Sequence, residues 1–335
     1  LPTFSAREIV TDDDPIPGDN ERRLMLKSHV TAFAPASVSN VACGFDIMGF
    51  ALSGLGDRVT IRHDAQPGLR IGARDGNPPS MPVDPELNTA GPPVREVAKW
   101  YGHRGGLVIE INKGLPIGSG IGSSAASAVA AAVAADALLG GRMSKTELLA
   151  CAIEGEKIAS GSVHADNLAP ALWGGFTLIR GYDPPDVIPL RCPRPLWCAL
   201  ILPDVEIRTK ESRGLLPASL PLSDVIAQTG NAAGLVAGLM NGDYGLIGRS
   251  LQDRIAEPVR RHLIPAYGEM KAAALVAGAL GCNISGSGPA VFALCADEVI
   301  ATRVVRAMSL ALEAAQCRHQ TMISRVDGTG AHILE

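Results

Sequence analysis

Residues 118–127 read GSGIGSSAAS, and the fold turns on what this stretch does. Upstream, GGLVIEINKGLP (105–116) alternates apolar and polar residues as a strand does. Downstream, 124–139 is a run of alanine, valine and leucine stopped by Gly140-Gly141, which reads as a helix. A strand, a glycine-rich turn and a helix in that order form an anion site. N–H groups at the helix start point outward, the helix dipole favours negative charge there, and glycines let the backbone touch phosphate oxygens. No lysine follows the glycines, so this is not a Walker loop. Gly118, Gly120 and Gly122 run GxGxG, but Ser123 stands where the dinucleotide fingerprint needs its third glycine. Taken alone, the stretch fits a small-residue packing turn equally well.

The surrounding chain narrows the choice. Its 335 residues suffice for two domains. Hydrophobic residues make up 47%, aromatic ones only 4%, so the interior is expected to pack through Ala, Val, Leu and Ile with close backbone approach. A net charge of −4 offers no basic footprint for nucleic acid. The alanine run is too weakly apolar, and too interrupted by Asp136, to span a bilayer. Seven scattered cysteines with no CxxC read as reduced thiols, which suits a cytoplasmic protein and gives neither a zinc site nor a disulfide framework.

Along the chain, residues 1–26 are acidic and proline-bearing and read as a loose extension. Strands are expected at 28–35, 56–63 and 68–74 and a helix at 92–103. Ser144 with Glu147 forms a capping-box pattern that starts a further helix. Residues 160–170 read as a loop and 174–181 as a strand. Proline crowds 183–195, which places the domain boundary there. Beyond it come a strand at 196–203, a loop through 206–213, helices at 222–240, 243–256 and 269–280, a strand-turn-strand over 282–296, a helix near 297–316 and a last strand near 318–326.

Two further motifs stand out. In APASVSNVACGFDIMGFAL (34–52), Asn40 and Asp46 lie six residues apart, so both could face one polar ligand, or each could cap its own turn. In NISGSGPAVFAL (283–294), Gly286 and Gly288 could close a tight turn between strands.

In this order and spacing, the three motifs resemble those of the GHMP small-molecule kinases. PIGSGIGSSAA (116–126) is similar to that family's central signature, with Ile121 where leucine is more usual, and the resemblance runs from Lys27 nearly to the end. It implies an α+β, two-domain fold: an ATP-binding domain over 27–185 with the glycine-rich phosphate loop at a helix N-terminus, and a ferredoxin-like C-terminal domain over 186–335 that completes the substrate site. EGEKIASGSVHADNLAPALWGG (154–175), TKESRGLLP (209–217) and AEPVRRHLIPAYGEM (256–270) are similar to the branch whose acceptor is L-homoserine. The implied reaction moves the ATP γ-phosphoryl group to that amino acid's hydroxyl.

The resemblance also implies roles. Pro116, Ile117, Gly118, Ser119, Gly120, Ile121, Gly122, Ser123 and Ser124 would cradle ATP, with Gly286 and Ser287 beside them. Asn88 and Lys113 are placed near the nucleotide by position alone. Mg²⁺ would be held by Ser124, favoured over Ser123, and by Glu156, which lies eight residues before His164; an N-cap is the plainer use of Ser123. Asn40, Asp46, His164, Asp166, Thr209, Arg213 and Arg260 would surround L-homoserine, whose carboxylate needs a cation and whose ammonium needs an anion. Asp166, Asn167 and Arg213 are the catalytic candidates. Some family members carry an Asp where Asn167 stands; Asn cannot accept a proton, so either Asp166 assists or the hydroxyl proton passes to the phosphate, and the second is preferred. A homodimer is a further expectation.

Overall fold

The computed structural model describes residues 27–72, 78, 81–160 and 164–334, so the extension expected over 1–26 lies outside the described residues. In chain order the elements are β1 (His29–Ser39), a 3-10 turn (Ala42–Gly44), β2 (Met48–Asp64), β3 (Gly68–Ile71), α1 (Gly91–Trp100), β4 (Gly106–Asn112) and α2 (Ser123–Leu139). Next come α3 (Lys145–Ser160), α4 (Leu168–Trp173), β5 (Phe176–Tyr182), β6 (Pro185–Leu190), β7 (Trp197–Pro203), α5 (Thr209–Gly214), α6 (Leu222–Asn241), α7 (Tyr244–Ser250) and α8 (Glu257–Arg260). The chain ends with α9 (Tyr267–Val276), β8 (Gly281–Ile284), β9 (Val291–Cys295), α10 (Glu298–Ala314), β10 (His319–Arg325) and β11 (His332–Ile333).

The first sheet has the order β11-β1-β2-β4-β3, with β5 pairing the start of β2 and β6 pairing β5. Among the described residues, β3–β4 is the parallel pair and the others are antiparallel. Helix α2 lies against β1 and β2 and is flanked by α1, α3 and α4. It is buried almost all round, with Ala125, Ala126, Ala128, Ala130, Ala131, Ala134 and Ala135 at zero exposure. A helix apolar on every face belongs inside a protein. The alanines let sheet and helices approach closely, so the packing-seam reading of the run beyond Ser124 describes its middle, while its head lines a cavity. Ser144 accepts from the Glu147 N–H, and the Glu147 carboxylate takes the Ser144 N–H (2.7 Å), the reciprocal capping box expected for α3.

The second sheet has the order β10-β7-β9-β8, all antiparallel, with α9 and α10 on one face. Counted along the chain this is βαββαβ, the ferredoxin-like arrangement, with α5 to α8 inserted after the first strand. Side chains of β7 alternate: Ala199 and Ile201 join the α9–α10 core, while Cys198, Leu200 and Leu202 face the first lobe's core. Phe292 of this sheet meets Phe50 of the first edge-on at 5.8 Å, and Phe50 in turn packs on Phe176 at 4.9 Å. The two lobes are therefore welded by apolar contact.

Several elements differ from expectation. The sheets divide the chain elsewhere than at 185/186: β6 pairs with β5, so the chain leaves the first sheet after Leu190, and β11 returns to it. Its prolines are tolerated because β6 pairs only with β5. The loops expected at 160–170 and 206–213 run into the short helices α4 and α5, and the helix expected over 243–256 stops at Ser250. Helix α2 begins at Ser123, one residue early, and its N-cap is Gly122, so Ser123 does not cap it.

Candidate active site

A cavity of about 410 Å³ opens between the lobes, a size suited to small ligands. It is lined by Asn40, Asp46, Asn88, Lys113, Ile117, Gly118, Ser119, Gly120, Gly122, Ser123, Ser124, Glu156, His164, Asp166, Asn167, Thr209, Arg213, Arg260, Gly286 and Ser287. Of the residues singled out in the sequence, only Pro116 and Ile121 stand apart. The Pro116 carbonyl accepts the Ser119 hydroxyl at 2.7 Å. Ile121 is fully buried in the core, and its carbonyl accepts the Ser37 N–H at 3.1 Å. These two anchor the loop from behind.

The loop's shape explains its glycines. Gly118, Gly120 and Gly122 have φ of +72°, +80° and +70°. Alternating left-handed residues turn successive N–H groups toward one side, making an anion nest. A Cβ on Gly120 would stand 2.7 Å from the Gly288 carbonyl, and one on Gly122 would stand 2.2 Å from Ser37 Oγ. Gly122, the N-cap of α2, has no side chain to cap the helix's first turn. The second lobe closes on the loop through Ser285, whose hydroxyl donates to the Gly120 carbonyl at 2.6 Å.

The two serines part company. Ser124 Oγ donates to Glu156 Oε2 at 3.1 Å, setting a hydroxyl and a buried carboxylate side by side on the cavity wall. Ser123 Oγ instead accepts from Lys113 Nζ at 2.6 Å. Lys113 also donates to the Ser123 carbonyl, to Ser127 Oγ and, at 2.5 Å, to Asp57. Asp57 is wholly buried and accepts the Gly114 and Leu115 N–H groups as well. Burial holds the Lys113 ammonium below its ordinary pKa, against the raising effect of Asp57. Lys113 thus pins the strand end to the helix start while it also lines the cavity. Asn88 is similarly committed: its amide donates to the Pro82 carbonyl at 2.8 Å and accepts the Ala90 N–H at 3.0 Å. Met81, Pro82, Leu87, Ile111 and Ile117 form the apolar wall beside it.

Charged groups of both signs gather at the opposite end. Arg213 Nη2 lies 2.8 Å and 3.0 Å from the two Asp46 oxygens and donates to His164 Nδ1 at 3.3 Å. Burial, then Arg213 and Arg260, push His164 below its usual pKa against the pull of Asp46, which suits a neutral ring accepting that N–H. Arg260 is 3% exposed and donates to the Ser212 and Gly286 carbonyls. Asn40 donates to the same Gly286 carbonyl at 2.9 Å and accepts the Asp46 N–H at 3.0 Å. Gly286 therefore ties the Asn40 turn to Arg260 and serves the charged end of the cavity as much as the loop. Thr209 and Ser287 share a hydroxyl contact at 3.3 Å.

Asp166 is buried, and desolvation first, then the nearby Asp46 charge, raise its carboxyl to about 7. The Asn167 amide is held between two β1 hydroxyls: it accepts from Ser37 Oγ at 2.9 Å and donates to Ser39 Oγ at 3.0 Å. The sequence reading missed Ser37, Ser39 and Asp57. Asp57 carried a signal, being an acid inside an alternating strand; the two serines carried none.

The GHMP kinases N-terminal domain family matches residues 91–175, and the GHMP kinases C-terminal family matches 235–314. The chain is 47% identical to a homoserine kinase of Chloroherpeton thalassium over 83% of this chain and 91% of that one. It is 41% identical to a homoserine kinase of Arabidopsis thaliana over 91% of this chain and 84% of the relative. The crystal structure of a homoserine kinase from Cytophaga hutchinsonii superposes with a TM-score of 0.88 at 46% identity, over 92% of this chain and 98% of that one. The chain belongs to the GHMP kinases and, within them, to the homoserine kinases. It is an ATP-dependent kinase on the two-domain GHMP fold.

Proposed function

We propose that the protein transfers the γ-phosphoryl group of ATP to the side-chain hydroxyl of L-homoserine, giving O-phospho-L-homoserine for threonine biosynthesis. The observation that carries this reading is the Arg213–Asp46 pair beside Arg260 and Asp166, facing a phosphate-type loop across one cavity. A zwitterionic amino acid brings both counter-charges. Its carboxylate can take the arginines and its ammonium can take Asp46 or Asp166, leaving its hydroxyl directed toward the loop.

Phosphoryl transfer asks mainly for alignment and charge neutralisation. Loop amides and the α2 dipole supply part of the latter. Ser124 Oγ and Glu156 are hard oxygen donors side by side, the pair that suits Mg²⁺, an ion that keeps several waters and binds few protein groups. When bound, Mg²⁺ neutralises phosphate charge; Ser124 and Glu156 would hold it. Asn167 cannot take a proton, and its amide is committed to Ser37 and Ser39. The hydroxyl proton passes to the phosphoryl oxygens, which a loose transition state permits. The free cysteines among the described residues suit a reducing cytoplasm, and a homodimer is the assembly we expect.

The test is ADP release with L-homoserine, mevalonate, shikimate and galactose as acceptors. L-Homoserine alone should be turned over efficiently. Turnover of mevalonate with none of L-homoserine would overturn the reading.

A further inference from the structure

We propose that Phe45 is a positioning residue: its ring is the shared platform that sets the Arg213 and Arg260 guanidiniums at the spacing that grips a substrate carboxylate. This rests on the amino-acid kinase reading above.

The guanidinium carbons of Arg213 and Arg260 lie 5.8 Å and 5.5 Å from the Phe45 ring centroid, both within cation–π range. The arginines line the cavity, whereas Phe45 does not, so the ring acts from behind them. They arrive from different elements, Arg213 on α5 and Arg260 on α8. Two like charges brought together repel: burial, then Arg213, hold Arg260 below its ordinary pKa. Asp46 offsets this for Arg213 directly. No acidic side chain is hydrogen-bonded to Arg260 among its described contacts, which are the Ser212 and Gly286 carbonyls. The negative face of one aromatic ring attracts both cations and adds no carboxylate that would compete with the substrate.

The backbone keeps the ring in place. Asn40, Val41, Ala42 and Asp46 all have positive φ. Such strain persists only where the surroundings over-determine it. They do so here: Asn40 is bonded to Gly286, the Cys43 carbonyl accepts Gln228 Nε2 of α6 at 2.8 Å, and the Asp46 carbonyl accepts the Tyr182 hydroxyl at 2.7 Å. The same Gln228 accepts the Arg254 N–H at 2.8 Å, linking this turn to the segment that leads into α8.

The experiment is Phe45→Leu, which keeps an apolar side chain and removes the π face, beside Phe45→Tyr, which keeps the face. Steady-state KM is measured for L-homoserine and ATP. The inhibition constant is measured for 3-aminopropan-1-ol, which is L-homoserine without its carboxylate. We expect Phe45→Leu to raise the L-homoserine KM about tenfold while leaving the ATP KM and the 3-aminopropan-1-ol constant unchanged, with Phe45→Tyr close to wild type. Equal weakening of both acceptor-site ligands, or no change in either, would overturn the proposal. Should Phe45→Leu fail to fold, Phe45→Met serves, judged by the same ratio. Failure of the wild type to use L-homoserine would instead overturn the functional reading.

Discussion

Arg213 Nη2 contacts both carboxylate oxygens of Asp46, at 2.8 Å and 3.0 Å, although 167 residues separate the two along the chain. One comes from the turn after β1 and the other from a short helix of the second lobe. Their pairing is a compact image of the zwitterion that the cavity is proposed to hold. Arg213→Ala should therefore lower kcat/KM for L-homoserine by about 10²–10³, the worth of a charge-assisted contact in a desolvated site. Arg213→Lys should recover little, since an ammonium cannot reproduce a planar fork. Initial rates at fixed saturating ATP check both.

Asp166 provides a pH prediction. Its folded-state carboxyl sits near 7, above its ordinary value of 3.8. The folded chain therefore binds more protons than the unfolded chain between those values, and this group's contribution to stability is lost as pH rises through that window. Asp166→Asn should raise Tm more at pH 8 than at pH 5. In activity, kcat/KM for L-homoserine should climb with pH through about 7, and this acid limb should disappear in the variant. A Tm gain equal at both pH values would count against the assignment.

Ser124 and Glu156 are separable from Ser123 by metal dependence. Glu156→Gln should raise the half-saturating Mg²⁺ concentration about tenfold or more and lower kcat by about 10². Ser124→Ala should act in the same direction, while Ser123→Ala should chiefly lower Tm. Undiminished Glu156→Gln activity at limiting Mg²⁺ would remove the metal role.

Lys113 should behave as a structural cation. Lys113→Met strands the buried Asp57 carboxylate and should cost about 3–5 kcal/mol in urea unfolding. Adding Asp57→Asn removes the stranded charge and keeps an acceptor for the Gly114 and Leu115 N–H groups, so it should restore at least half of that loss.

The loop glycines should not be equivalent. All three are left-handed, but a Cβ on Gly118 meets nothing within 4 Å, whereas one on Gly120 meets the Gly288 backbone. Gly118→Ala should cost about 1 kcal/mol from conformation alone. Gly120→Ala should cost about twice that or more and should also weaken ATP binding. Calorimetric Tm and an ATP titration distinguish them.

Much of the architecture could be read residue by residue. Alternation marked β1, the later part of β2 and β4, the alanine run marked α2, and Ser144 with Glu147 marked the start of α3. Helices α4 and α5 escaped because six residues are too few to display a period. Strand β6 escaped because its prolines resemble a linker until a partner is seen. Asn88 and Lys113 were placed beside the nucleotide from their positions; both line the cavity, but their bonds to nearby backbone and to Asp57, a partner 56 residues away from Lys113, could not be read from the sequence.

The sequence by itself determined what is local: a strand, a glycine turn and a helix able to hold an anion, and the residue types that phosphate, metal and zwitterion each require. Periodicity and turn chemistry act over a few residues, so they survive in one dimension. Tertiary structure alone decided which of two adjacent serines meets Glu156, which lysine is locked away, and that Phe45 lies under two arginines. Those outcomes depend on packing between segments far apart in the chain, where a shift of one residue along α2 would turn Ser124 from Glu156 and bring a neighbour to face it.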